Sequence, residues 1–319
     1  MKNLKIKPFL LFGSITLILA VTFFIFSFAD ENDKKNADKE YQQHISEHYK
    51  VYSLPTPHDL EFAGEKIPLE DLDIKERLDK ELVINTYYHS QTFFVLKKAH
   101  RWFPIIEPIL KEEGIPDDFK YLAVIESALD NAVSPAGASG FWQFMKATGL
   151  SYELEINAFV DERYNIEKST RAACKYLKQS YLYFNNWTLS AASYNMGAGG
   201  IQNTLKDQKV SNYYDLYLNQ ETARYVFRIA AMKAIFESPE SYGFNIRPKD
   251  FYEPYETNAI EVDTTIGDLT KFAQEKGFNL KIIKLLNPWL RDKSLPNKSR
   301  KKYIILLPKS DSNIGKINP

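Results

Sequence analysis

The 319-residue chain has one cysteine, five histidines and no net charge, since 41 Lys and Arg balance 41 Asp and Glu. The single Cys174 excludes an intrachain disulfide and any multi-cysteine zinc or iron–sulfur site. Alone in a helical pattern, it reads as a small core side chain. The histidines (His44, His48, His58, His89 and His100) all precede residue 101, so a histidine-based site further along is excluded. Zero formal charge argues against a globally basic nucleic-acid binder, and no nucleic-acid partner is expected. Tandem repeats and low-complexity tracts are also missing. What is present is 44% hydrophobic, 14% aromatic and 26% charged residues. That is too much apolar material for a disordered chain and enough for about two domains, each with a core.

The charge balance is local rather than uniform. From Asn279 to Pro319 the chain carries ten Lys and Arg against two Asp and Glu, so this end is +8 and the remainder −8. A basic end can meet an anionic polymer or membrane surface, or can be a solvated face that aids solubility.

Lys2, Lys5 and Lys7 precede an uncharged stretch from Phe9 to Ala29. As a helix those residues would span about 31 Å, the thickness of a bilayer core. Lysines before it and acids after it (Asp30, Glu31, Asp33) place the amino terminus inside the cell and export the remainder of the chain. Residues 1–30 are therefore expected to be a membrane helix; Ser27 and Ala29 also permit a cleaved signal peptide. Residues 31–71, polar and with prolines at 55, 57 and 68, read as a tether.

The next segment, residues 72–245, reads as a helical body without strands. Apolar residues from Leu72 to Leu110 have helical spacing, and Pro104 and Pro108 are expected to break or kink that stretch. Pro116-Asp117-Asp118 opens a helix through Phe119, Leu122, Ile125 and Leu129. A glycine loop (residues 134–140) precedes a short helix ending at Gly149. Helical patterns then run over Ile166 to Phe184, Trp187 to Asn195 and Glu221 to Phe236. After a proline-marked linker, 246–258, the order strand, helix, helix, strand over 259–310 suggests a small α+β module, with 311–319 as a tail.

Glu126 lies four residues after Leu122, one after Ile125 and three before Leu129, on the apolar side of its helix. A carboxyl there loses solvation and its pKa rises, which suits a general acid near neutral pH. A Glu satisfied by a backbone or arginine partner would sit there equally well. Gly137, Gly140, Trp142, Gln143 and Met145 come after it by a loop, and Tyr194, Asn195 and Gly197 end another helix. Glycine permits close backbone approach, amides offer paired donors and acceptors, and aromatic faces pack on sugar rings. Each also has a structural reading as turn, cap or core.

Taken in order, Ile125-Glu126-Ser127, Gly137 to Met145, Ala191 to Gly199 and Glu221 to Val226 resemble the motifs of the soluble-lytic-transglycosylase, or goose-lysozyme-like, domain. Asp161 to Asn165 and Ala172 to Leu177 are similar to its connecting segments. Ser193 stands where many relatives carry Ala, and Phe227 where many carry Pro. The module resembles a LysM peptidoglycan-binding repeat in which Asp263-Thr264-Thr265 replaces the usual Gly-Asp-Thr turn.

The resemblance implies a mainly α, lysozyme-like fold acting on peptidoglycan glycan strands in the cell envelope, facing the periplasm. It implies no metal and no cofactor. Glu126 would protonate the MurNAc–GlcNAc oxygen and then, as a carboxylate, deprotonate the MurNAc 6-hydroxyl, leaving a 1,6-anhydro end. Ser127, Gln143, Met145, Tyr194, Asn195, Glu221 and Tyr225 would line the groove, although Glu221 could equally cap its helix. Two other functions are compatible with the chain. One is a hydrolase, with Asp130 as the only nearby second carboxylate in sequence; the other is a non-catalytic wall-binding protein.

Overall fold

A computed structural model describes residues 35–36, 38–48, 50–309 and 314–315. The expected membrane helix over 1–30, and all but two residues of the expected tail over 311–319, lie outside the described residues. Among the described residues no helix is long and apolar enough to cross a membrane. The described residues fall into two units, divided after Ser53. In the first, residues 38–48 are helical and exposed.

The second unit starts upstream of residue 72, so the tether reading of 31–71 is corrected from Leu54 onward. Glu61–Phe62 (β1) and Glu65–Lys66 (β2) form an antiparallel hairpin in which Phe62 faces Glu65. Its two-residue turn, Ala63-Gly64, has both φ angles positive, as a tight hairpin of this hand requires. Leu60, Phe62, Ile67 and Leu69 are buried in the main core, and the Phe62 ring packs edge-on against Phe119 at 5.1 Å. Strands two residues long show no alternation to read, and the flanking prolines mimic a linker.

Eight helices make up the body: α1 (Leu72–Tyr87), α2 (His89–Glu112), α3 (Lys120–Ser127), α4 (Lys146–Ser151), α5 (Ile166–Phe184), α6 (Trp187–Met196), α7 (Ala198–Gln208) and α8 (Gln220–Glu237). Asp71, Asn165, Asn186 and Asn219 cap α1, α5, α6 and α8 by accepting from backbone N–H groups of the first turn. The expected break at Pro104 and Pro108 does not occur, because α2 runs through both. The chain breaks instead at Tyr88, whose ψ of 57° separates α1 from α2. Gly197 to Gly200, expected to end a helix, also starts α7.

Helix α3 is the most enclosed element. Tyr121 to Ile125 and Ser127 are buried, with α8 packed on one side and α2 on another. It stops because Ala128 and Leu129 both turn left-handed, at φ 53° and 56°. That stop places Glu126 in the last turn, facing α8.

The module comprises β3 (Thr257–Val262), α9 (Leu269–Glu275), α10 (Leu280–Leu286) and β4 (Tyr303–Pro308). β3 and β4 pair antiparallel, from Thr257 against Pro308 to Val262 against Tyr303. Asn287 is fully buried and pins α10 to β4: its amide donates to the Ile283 and Leu306 carbonyls, and its oxygen accepts from Leu306 N–H. The interval 246–258 is held along α2 by Tyr252 N–H on the Lys97 carbonyl (3.2 Å) and Arg101 on the Glu253 carbonyl (2.8 Å). The Arg101 guanidinium also lies 4.2 Å from the Tyr255 ring centre.

Candidate active site

An open cleft of about 600 Å³ lies between α1, α2, the end of α3 and α8. Glu126, Ser127 and Glu221 border it. Glu126 is partly exposed, so its carboxyl can reach the cleft while the remainder of the group is enclosed. Burial pushes its pKa up to about 7; the Tyr225 hydroxyl and the charge of Arg228 pull it down, and Glu221 adds to the rise. The buried Tyr225 donates its hydroxyl hydrogen to Glu126 Oε1. A carboxyl titrating near 7 holds its proton in a useful fraction of molecules at neutral pH and also gives it up. The hydrogen-bond partner of Glu126 is the Tyr225 hydroxyl rather than a backbone group or an arginine, and burial outweighs it.

Asn195 donates to Glu221 Oε1 (2.9 Å) and accepts from the Thr222 hydroxyl (2.7 Å), which ties the end of α6 to the start of α8. Tyr194 is close enough to Glu126 to feel its charge, and its hydroxyl donates to the Trp142 carbonyl at 2.9 Å. The buried Ser127 hydroxyl bonds the Phe141 carbonyl at 2.9 Å. Gln143 sits in a left-handed conformation, φ 48°, and its amide nitrogen bonds the carbonyls of Gly140 (2.7 Å) and Ala132 (3.1 Å). Ser127 and Gln143 thus hold the loop over 132–145 beside the cleft. Met145, 45% exposed, stands at that loop's far end.

Asp130 lies beyond the helix end, exposed, and pairs with Lys98. It is not among the residues bordering the cleft. Cys174 is buried, which pushes its thiol up to about 12, as an inert core residue requires.

Several residues at the cleft are absent from the sequence-predicted set. Arg228 donates to the Ile125 carbonyl at 2.8 Å, three residues after Tyr225 on the same face of α8. Arg224 holds the buried Glu81 through two bonds of 2.5 and 3.0 Å. Asn85, Tyr88 and Gln91 form part of the opposite wall, with Tyr88 62% exposed at the junction of α1 and α2. Helical phase with Leu78 and Leu82 is the available signal for Glu81; for Tyr88 there is none.

Residues 103–216 match the transglycosylase SLT domain, and residues 258–311 match the soluble lytic transglycosylase C-terminal LysM-like domain. The chain therefore carries an SLT domain followed by a LysM-like domain. It is homologous to the membrane-bound lytic murein transglycosylase D of Escherichia coli K12, with 26% identity over 243 residues, covering 73% of this chain. It spans about half the length, 52%, of that relative. Among solved structures it is similar to the 70 kDa soluble lytic transglycosylase of E. coli, at 17% identity and TM-score 0.39, over 67% of this chain and 42% of that one. An inactive mutant of lytic transglycosylase Slt from Pseudomonas aeruginosa gives 19% identity and TM-score 0.36, over 56% and 35%. The SLT match ends before α8 and begins after most of α2, so Glu221, Tyr225, Arg228 and the wall from Glu81 to Val95 all lie outside it.

Proposed function

We propose that this protein is a peptidoglycan lytic transglycosylase in which Glu126 acts first as general acid and then as general base. The observation that carries this reading is a single carboxyl, raised by burial to about 7 and bonded by Tyr225, at the wall of an open cleft. In the first step Glu126 gives its proton to the glycosidic oxygen between MurNAc and GlcNAc, and the C1–O bond breaks. The N-acetyl carbonyl oxygen of MurNAc closes on C1 and holds the positive charge. Glu126, now a carboxylate, takes the proton of the 6-hydroxyl as O6 attacks C1 and displaces the acetamido oxygen. The enzyme is restored, the product carries a 1,6-anhydro ring, and no water is consumed. Attack from within the same sugar has a large effective-concentration advantage, so no second carboxylate is needed.

Other groups at the cleft fit supporting roles. Glu81 is buried and occupied by Arg224 through two hydrogen bonds. Ser127 and Gln143 shape the loop, the Asn195–Glu221 pair offers polar contacts to sugar hydroxyls, and Met145 and Tyr194 offer apolar surface. Product analysis tests the reading. Intact sacculi digested by the full chain should yield anhydro-ended muropeptides by mass spectrometry. Reducing ends would instead favour hydrolysis, for which Glu221 rather than Asp130 is the carboxylate placed at the cleft.

Tyr225→Phe provides a second check. The lost hydroxyl favoured the carboxylate form, so the pKa of Glu126 should climb above about 7 and the alkaline limb of the kcat profile should move to higher pH. Turnover itself should fall roughly ten-fold, because the proton is less well oriented. A limb that stays in place or moves down would contradict the bond's role.

The name of the E. coli relative supports an envelope location. Anchoring through residues 9–29, with the cleft facing the periplasm, completes the proposal. Fractionation with carbonate-washed membranes tests the anchor.

A further inference from the structure

Residues 154–163 form a hairpin bridged by Ile156 and Asp161, and Asn157 Oδ1 closes its turn by accepting from Phe159 and Val160 N–H. The module lays residues 289–291 antiparallel against this hairpin. Asp161 N–H donates to the Trp289 carbonyl (2.9 Å), Arg291 N–H donates to the Phe159 carbonyl (2.8 Å), and Val160 pairs with Leu290. Val160 and Tyr164 are buried within the module's core cluster, not the body's. Glu155 accepts from the Tyr303 hydroxyl at 3.1 Å and pairs with Lys301 at 2.5 Å.

The same hairpin reaches the active site on its other side. Asp161 grips Arg163 through two bonds, 2.9 Å to Nε and 2.7 Å to Nη2. Arg163 Nη1 donates to the carbonyls of Gly137 and Phe144, each at 3.1 Å. Those carbonyls bracket a loop with no regular structure, which contains Gln143 and presents the Phe141 carbonyl to Ser127, next to Glu126. A module attached only through a flexible linker could not fix such a loop, whereas this one is joined by backbone bonds and a shared apolar cluster.

We infer that the LysM-like module is a brace for the active site: by adding its 289–291 segment to the 154–163 hairpin it sets Asp161, and Asp161 aligns Arg163, which fixes the loop over 137–144. Arg163 is thereby a positioning residue. The inference rests on the assignment of the Glu126 cleft as the glycan-cleaving site. It gives Asp161-Glu162-Arg163-Tyr164-Asn165 a purpose beyond connecting helices.

Two variants of the full chain test it. Val160→Asp puts an unpaired carboxylate into the seam and releases the module; Arg163→Lys keeps the charge but loses the fork. Amide hydrogen exchange should accelerate on the order of ten-fold or more over 137–144 in both, while α5 keeps its protection. kcat/KM on sacculi should fall on the order of ten- to a hundred-fold, with the alkaline limb unmoved because Glu126 keeps its neighbours. A Val160→Asp protein whose module amides exchange freely while 137–144 stays protected and cleavage stays at the wild-type rate would overturn the brace. If that variant does not fold, Arg163→Lys with an unaltered loop overturns it instead. A wild-type chain that cleaves no murein refutes the functional reading alone, and the exchange measurement then still decides whether the module holds the loop.

Discussion

Glu126→Gln should reduce murein cleavage by about 10²- to 10⁴-fold and, at pH 8, make the folded protein more stable than the wild type. Both effects have one cause. Burial raises the carboxyl from an ordinary 4.5 to about 7, so the folded state binds its proton more tightly than the unfolded chain does. Between those two pH values the native state holds more protons, so stability falls as pH rises and the penalty is complete above about 7. A rise of that size corresponds to about 3 kcal/mol, which a neutral amide of the same shape escapes. The gain will be smaller than that, because the Tyr225 hydroxyl and Arg228 lose an anionic partner. Urea titrations of both proteins at pH 8 and at pH 4 check it. The stability gap should be present at the first and nearly gone at the second. Equal stability at pH 8 would mean that the carboxylate carries no desolvation cost, and the acid assignment would lose its physical basis. The wild-type rate should drop about ten-fold per pH unit above 7, as the protonated fraction does.

The rise can be read from the chain only in part: Leu122 and Ile125 put Glu126 on the apolar side of α3, whereas Leu129, expected to continue the same helix, lies past its end in a left-handed turn. What restrains it cannot. Tyr225 and Arg228 are about a hundred residues away, and only the packing of α3 on α8 brings them together. The same division runs through the fold. A long amphipathic stretch such as Ile166 to Phe184 has observed bounds equal to the expected ones, since periodicity accumulates over several turns. The 61–66 hairpin is too short to accumulate any. The continuity of α2 through two prolines is a tertiary outcome: buried Val95, Leu96, Ala99, Ile106, Ile109 and Leu110 on either side of them hold the helix together. The resemblance implies that Gln143 lines the groove. A left-handed backbone turns its amide onto its own loop, a conformation that residue type alone does not announce.

Gly140→Ala should be among the most damaging small substitutions in the protein. Gly140 has φ +80°, and an added Cβ would lie 1.9 Å from the Arg163 carbonyl oxygen and 2.7 Å from its carbon. The obstacle is backbone, so no side-chain rotation relieves it. The left-handed conformation alone costs an alanine about 1–2 kcal/mol, and displacing the 161–164 turn should bring the total to about 3 kcal/mol or more. The displacement also acts on the site. Gly140 N–H bonds the Ala132 carbonyl at 3.0 Å, and its own carbonyl accepts from both the backbone and the side-chain amide of Gln143. Gly199→Ala is the control. It comes from the other glycine-rich motif, lies within α7 and meets nothing within 4 Å, so helix propensity should leave the fold unchanged or up to about 1 kcal/mol more stable. Denaturant midpoints of the two variants measured side by side should therefore move apart. If Gly140→Ala unfolded at the wild-type midpoint, the close passage of this loop over Arg163 would be wrong. The spatial link between that turn and the Glu126 cleft would fail with it.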